Sequence, residues 1–258
     1  MMHSITFGEK NSYDEWKIVP TSRPVINPPA KKKKTLEIPG ANGSLDISDS
    51  LTGFPVFENR TGSIEFVVLN DFNLDNYIYA WDAIYHDILG YLHGEKMELR
   101  LEDEPGYFYQ GGLTVNSWKS DKNNSTITID YDLQPYRYAN QSSIDNWLWD
   151  PFNFTKDYIA PMKFANIQVN GTVVREYEEA LFGNAPLMPE LHITTDSSLT
   201  VTVQTPADDL ADGKRIYTKT FTQTGVYKIY ELTLYKASVK YTFTGNGVVS
   251  IKFYRGYL

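Results

Sequence analysis

The sequence contains no cysteine, which excludes disulfide staples, thiolate metal sites and a cysteine nucleophile. That composition fits assembly in a reducing cytoplasm. No apolar run approaches the roughly 20 residues needed to span a bilayer. The opening Met1-Met2-His3-Ser4-Ile5-Thr6-Phe7 has neither the basic start nor the apolar core of a signal peptide. Work outside a cell would therefore require release by lysis or carriage in a particle. Positive charge is also short. Lysine and arginine number 24 against 32 aspartates and glutamates, for a net charge of −8. General electrostatic attraction to nucleic acid is absent, and no specific nucleic-acid readout is expected. The acidic balance serves solubility.

Catalytic signatures are equally scarce. The sequence has no Gly-x-x-x-x-Gly-Lys-Ser/Thr loop, no Gly-x-Ser-x-Gly elbow and no Gly-x-Gly-x-x-Gly fingerprint. The histidines are His3, His86, His93 and His192. His86 and His93 are spaced to share a helix face, but no His-Glu-x-x-His pattern accompanies them. Glu102, Asp103 and Glu104 cluster on one turn, and Glu176, Glu178 and Glu179 on another. Paired carboxylates of a glycosidase need a defined separation across one bond, which such clusters do not specify. Asp208, Asp209 and Asp212 lack the spacing and terminal glutamate of a calcium loop. No catalytic residue, metal site or cofactor is expected, and the chain is not read as an enzyme.

What the chain does have is β-pattern. Aromatic residues, tyrosine above all, make up 14% of it and suit pleated, half-buried surfaces. Trp16-Lys17-Ile18-Val19 reads as a strand ending at Pro20. Pro20, Pro24, Pro28 and Pro29 then disfavour both helix and central strand, so this stretch is expected to run extended over a surface. Lys31-Lys32-Lys33-Lys34 leads into a hairpin, Thr35–Ile38 and Ser44–Ser48, around the turn Pro39-Gly40-Ala41-Asn42-Gly43. Four lysines in a row suit a solvated edge that resists aggregation, a contact with the acidic surface of a neighbouring subunit, or phosphate binding.

One helix is predicted, over about 74–93. Leu74, Tyr77, Ile78, Trp81, Ile84, Tyr85, Ile88, Leu89 and Leu92 form its apolar stripe. Asn73 is its expected cap, Asp75 sits in the first turn, and Gly94 closes it. Strands follow at Lys96–Leu101 and Tyr107–Trp118, and again from Thr126 after a turn at Asn123-Asn124. Ala139–Ser143 has linker composition. Beyond it, short strands are predicted at Met162–Val169, Glu190–Thr195, Leu199–Thr205, Arg215–Thr222, Tyr227–Leu234, Ser238–Phe243 and Val248–Phe253, most of them separated by turn residues. The fold class is mainly β with one helix: an α+β domain over 1–139, then a jelly-roll β-sandwich over 140–258.

The order of these segments resembles the distal tail protein family of long-tailed bacteriophages. The resemblance rests on Ile38–Asp46 after the basic run, Glu65-Phe66-Val67-Val68, the helix, and the pair around Tyr107–Gly112. It continues through Asp132–Tyr138, Phe182–Pro189 before a strand, and the closing Val249–Tyr257. It implies a structural virion protein of the tail tip, assembled in the host cytoplasm. Its N-terminal domains would close a homohexameric ring, and its C-terminal domain would be a galectin-like sandwich. Implied partners are further copies of the chain, the tail-tube protein and the tail-tip hub protein, with a receptor-binding protein or a host cell-wall glycan as a further contact.

An extended arm suits a ring that repeats one heterologous interface until it closes. Trp16, Lys31, Lys32, Lys33, Lys34, Leu36, Ile38, Pro39 and Gly40 are the expected interface residues. The alternative is a carbohydrate-binding module for host attachment. It would use Tyr217, Tyr227, Tyr230 or Tyr235 as stacking platforms.

Overall fold

The structure, a computed structural model, describes residues 2–69, 77–119, 125–146, 160–207 and 213–258. The chain divides into two compact units, one built on Met1–Arg137 and the other on Tyr138–Tyr257. Among the described residues no helix is long and apolar enough to cross a membrane.

The first unit runs β1 (Ile5–Phe7), β2 (Lys10–Asn11), α1 (Ser12–Trp16), β3 (Ile18–Pro20), β4 (Thr35–Glu37), β5 (Ser44–Asp46), β6 (Arg60–Val68), α2 (Tyr77–Leu92), β7 (Lys96–Leu101), β8 (Tyr107–Lys119) and β9 (Thr126–Leu133). Its main sheet has the order β2-β1-β7-β8-β9-β6-β3, with antiparallel neighbours. Alternation decides which face is dry. Ile127, Ile129, Tyr131 and Leu133 of β9 point into the core with Ile64 and Phe66 of β6, while Thr128, Asp130 and Asp132 point out. Helix α2 covers the dry face. Ile88 and Leu92 are fully buried, and Ile84, Tyr85 and Leu89 pack beside them. Gly94 follows with φ +82, a left-handed conformation that suits a helix end. The expected stripe residue Leu74, the cap Asn73 and Asp75 lie outside the described residues, as does the Asn123-Asn124 turn.

Trp16 corrects one expectation. It closes the short helix α1, which Asn11 caps by accepting the Tyr13 and Asp14 N–H groups. Its side chain is 2% exposed and packs against Phe7 and Tyr91. The indole N–H donates to Asp87 on α2. Trp16 therefore belongs to the core and is withdrawn from the interface set. The proline-spaced stretch after it is extended, as expected, but it is not free. Thr21 N–H donates to the Glu65 carbonyl at 2.9 Å, Asn27 N–H to the Tyr131 hydroxyl at 3.1 Å, and Asn27 Nδ2 to the Thr61 carbonyl at 2.9 Å. Since β3 pairs β6 only at Phe66–Val68, this stretch seals the remaining edge of β6.

The second unit contains β10 (Arg137–Ser142), α3 (Ala160–Phe164), β11 (Ile167–Tyr177), a 3₁₀ turn (Glu179–Leu181), β12 (Glu190–Thr194), β13 (Leu199–Pro206), β14 (Lys214–Phe221), β15 (Gly225–Lys228), β16 (Val239–Lys252) and β17 (Tyr254–Tyr257). Five strands follow the order β14-β13-β16-β12-β15, and β11 also pairs with β16. The two edge strands meet. Phe221 and Tyr227 lie 4.5 Å apart, so the sheet curls around its own core.

The expected linker at Ala139–Ser143 is strand instead, since β10 pairs with β17. Met162–Phe164 ends a short helix, not a strand. The two strands predicted at 238–243 and 248–253 are one, β16, which runs straight through Gly245-Asn246-Gly247. These glycines mark close approach where a turn was expected. A Cβ on Gly245 would sit 2.2 Å from the Ser198 carbonyl oxygen, and one on Gly247 2.4 Å from that of Thr194.

Tyr241 lies in this core with its hydroxyl lacking any hydrogen-bond partner among the described residues. Burial pushes its phenol well above the ordinary value and raises Tyr177 to about 12. Both folded-state values are raised. Their contribution is therefore complete below the ordinary phenol range and is lost as pH rises from about 10 toward 12. Replacing Tyr241 with phenylalanine is expected to raise unfolding free energy by about 1 kcal/mol, because a buried hydroxyl without a partner is removed. It should also soften the alkaline loss of stability. Urea unfolding at neutral and alkaline pH measures both, and destabilisation by this change would refute the account.

Candidate functional site

From Asn27 to Asn59 no residue is buried. This stretch leaves the first unit as one long β-arm. Its root is a ladder in which Lys32 N–H donates to Val56 O and Glu58 N–H to Ala30 O, both at 2.8 Å. Its end is the β4–β5 hairpin, paired Thr35 to Asp46, Leu36 to Leu45 and Glu37 to Ser44. Ala41 N–H donates to Ile38 O at 3.1 Å and Gly40 has φ +84, which makes Ile38-Pro39-Gly40-Ala41 a type II turn. Proline presets its first corner and glycine takes the second.

Register sorts the side chains of the hairpin. Leu36 and Leu45 face each other across the strands and share a face with Ile38 and Ile47, while Thr35, Glu37, Ser44 and Asp46 line the other. The pattern is that of a strand with one covered face. Yet Leu36 and Leu45 are about half exposed (52% and 51%), and Leu51 nearby is 93% exposed. A two-stranded hairpin with nothing on its apolar face is marginal in water, and clustered exposed aliphatics mark a contact surface.

The anchors of this arm escaped the sequence reading. Arg60 begins β6 beneath it and is 5% exposed. Its Nε donates to the Pro135 carbonyl at 2.8 Å and one terminal nitrogen to the Asn27 carbonyl at 3.2 Å, with the guanidinium over the Tyr109 ring. Burial lowers its pKa from the ordinary arginine value. One sequence signal was present. Gly62 interrupts a strand pattern, and a Cβ there would collide with the Tyr131 hydroxyl at 2.4 Å.

The lysines divide into two pairs. Lys31 binds Asp49 at 3.1 Å and Lys32 approaches Glu58 at 3.8 Å, both within the arm. Lys33 and Lys34 are exposed and have no ion-pair partner among the described residues. Asp46 is held below the usual carboxylate range first by the Ser48 hydroxyl and then by the Ser48 N–H.

The other sequence candidates are occupied or apart. Glu102 accepts from Ser4, Asp103 meets His3 at 2.8 Å, and Glu104 binds Tyr109 and Arg137, so the three carboxylates point to different partners. Glu176 pairs with Lys240 at 2.8 Å. His93 Nδ1 accepts the Val115 N–H, and His192 lies 3.8 Å from Glu190. Asp208, Asp209 and Asp212 lie outside the described residues. Of the four tyrosines, Tyr217 and Tyr227 pack against the core from β14 and β15, Tyr235 is half-buried, and Tyr230 alone is largely exposed.

No family model and no curated protein matches the sequence. The fold is similar to the crystal structure of SPP1 Dit (gp 19.1), described as a paradigm of hub adsorption apparatus in Gram-positive infecting phages. The match covers 100% of each chain at 12% identity with a TM-score of 0.55.

Proposed function

We propose that this chain is a structural, non-catalytic virion protein, a ring-forming hub at the distal end of a phage tail. It joins the tail tube to the tail-tip proteins. The observation that carries this reading is the arm. It is a 27–59 stretch with no buried residue and an uncovered aliphatic face, suited to burial against a neighbouring copy in a homohexamer. End-to-end likeness in fold to SPP1 Dit supports it.

On this reading Leu36, Ile38, Pro39 and Gly40 form the contact, and Lys33 and Lys34 flank it. The first unit, taken as 1–139, makes the ring, and 140–258 forms the C-terminal sandwich. The tail-tube and tail-tip hub proteins are its partners, and the site of action is the virion after assembly in the host cytoplasm. A carbohydrate role for the second unit is the weaker reading, because Tyr217 and Tyr227 are committed to packing.

Negative-stain electron microscopy tests the proposal. Purified protein, alone or with its tail-tip partner, is expected to give closed rings with an open centre. Monomers in both preparations at every concentration would refute it.

A further inference from the structure

We infer that the receiving surface for the arm is the outer face of β6, β9 and β8 on a second copy, and that Lys33 and Lys34 select it by charge. This inference rests on the ring reading and specifies its second half. A heterologous contact needs two different surfaces on each subunit, one that reaches and one that receives.

The outer face of the first sheet fits the second role. Strand alternation puts Thr61, Ser63 and Glu65 of β6, Thr128, Asp130 and Asp132 of β9, and Thr114 and Asn116 of β8 on it. Asp130 and Asp132 are two residues apart on one strand, and Glu65 lies on the next strand opposite Thr128. The three carboxylates therefore sit within about 7–8 Å of their nearest neighbour. Asn116 donates to Asp130 at 2.7 Å and Thr21 approaches Glu65 at 3.4 Å. No lysine or arginine among the described residues forms an ion pair with any of the three. Like charges gathered on a sheet without a cross-strand cation are destabilising.

The same chain carries the matching deficit. Lys31 and Lys32 are each paired within the arm, whereas Lys33 and Lys34 have no carboxylate within ion-pair distance among the described residues, and Lys33 acts on Asp46 only at longer range. Both precede β4, Lys34 in step with the aliphatic face of Leu36 and Ile38 and Lys33 in step with the opposite face. A polar, hydroxyl-lined sheet bearing three anions can take two ammonium groups on flexible stems while the aliphatics bury at the margin. Such contacts govern register and rate of encounter, which a closing ring requires.

Charge exchange tests the pairing in the full-length protein, with mass followed by light scattering and sedimentation. Lys33→Glu with Lys34→Glu is expected to weaken self-association by roughly tenfold or more, as is Asp130→Lys with Asp132→Lys. Mixing the two variants should restore it, because each supplies what the other lacks. High salt should weaken the wild type as well. If the Asp130/Asp132 variant assembles like the wild type while Leu36→Asp with Leu45→Asp does not, the receiving face is wrong and the ring reading stands. Should the wild type never associate, alone or with its tail-tip partner, both fall together. A variant that fails to fold would show in its circular dichroism. In that case Asp130→Asn with Asp132→Asn, which keeps shape and removes charge, must also weaken self-association, by less than charge reversal, or the inference is overturned.

Discussion

Replacing Trp16 with alanine is expected to destabilise the first unit by about 3–5 kcal/mol, the range for removing a large aromatic from a packed core. Trp16 is surrounded by rings, with Phe7 at 6.3 Å and Tyr91 at 5.8 Å, and Phe7 in turn touches Phe66. Its indole N–H also holds Asp87, whose carboxylate is kept below its usual range first by Trp16 and then by Lys10. The substitution thus opens a cavity and strips Asp87 of its larger support. Since that depressed value stabilises the fold above the ordinary carboxylate range and fades as pH falls, part of the loss should shrink in acid. Urea unfolding read as a midpoint shift at constant slope measures the effect. Trp16→Phe should recover most of the packing and none of the Asp87 contact. A loss below about 1 kcal/mol for alanine would mean that Trp16 is not the keystone described.

That same residue shows where the sequence was legible and where it was not. Period-two alternation placed β9 correctly because Thr126–Tyr131 has a dry face and a wet face, and period 3.6 found α2 for the same reason. Trp16 had no such context. Four residues, Trp16-Lys17-Ile18-Val19, look like strand, but the helical turn ends at Trp16 and the strand begins at Ile18. Lys17, left-handed at φ 53, separates them, and nothing local in a lysine announces that conformation. At Gly245-Asn246-Gly247 the misreading had a different cause. Glycine signals either a turn or a close approach, and only the carbonyls of Ser198 and Thr194, some fifty residues away, decide between them.

The hairpin was fully legible, because its turn chemistry and alternation are local. Its isolation was not, since exposure depends on what fails to pack against it. Nor was the Arg60 clamp, which draws on Asn27 and Pro135, remote in sequence. The division of the lysine run into paired and unpaired halves follows from Asp49 and Glu58 folding back along the arm, a matter of register between two strands.

Leu36→Asp combined with Leu45→Asp is expected to leave the isolated fold intact and abolish assembly. Both residues are half exposed and directly opposed on a hairpin with no core beneath, so what aspartate removes, and the repulsion it adds across the pair, is confined to the hairpin and leaves the core of the unit untouched. Surface changes of this kind stay within about 0.5 kcal/mol of the parent. In an assembly the situation reverses. Burying the exposed half of each leucine contributes about 0.7–1.5 kcal/mol, so losing two weakens each subunit contact by roughly ten- to a hundredfold before any penalty for desolvating the new carboxylates. A ring repeats that loss at every junction, and closure needs all of them. The expected signature is therefore a split: an unchanged thermal midpoint measured at a concentration where the parent is monomeric, and a mass that stays at one chain where the parent forms rings. Leu36→Met with Leu45→Met should behave like the parent, because volume and apolarity are kept. Rings of normal size from the aspartate variant would remove the arm from the interface and leave the ring to be closed by another surface of the first unit.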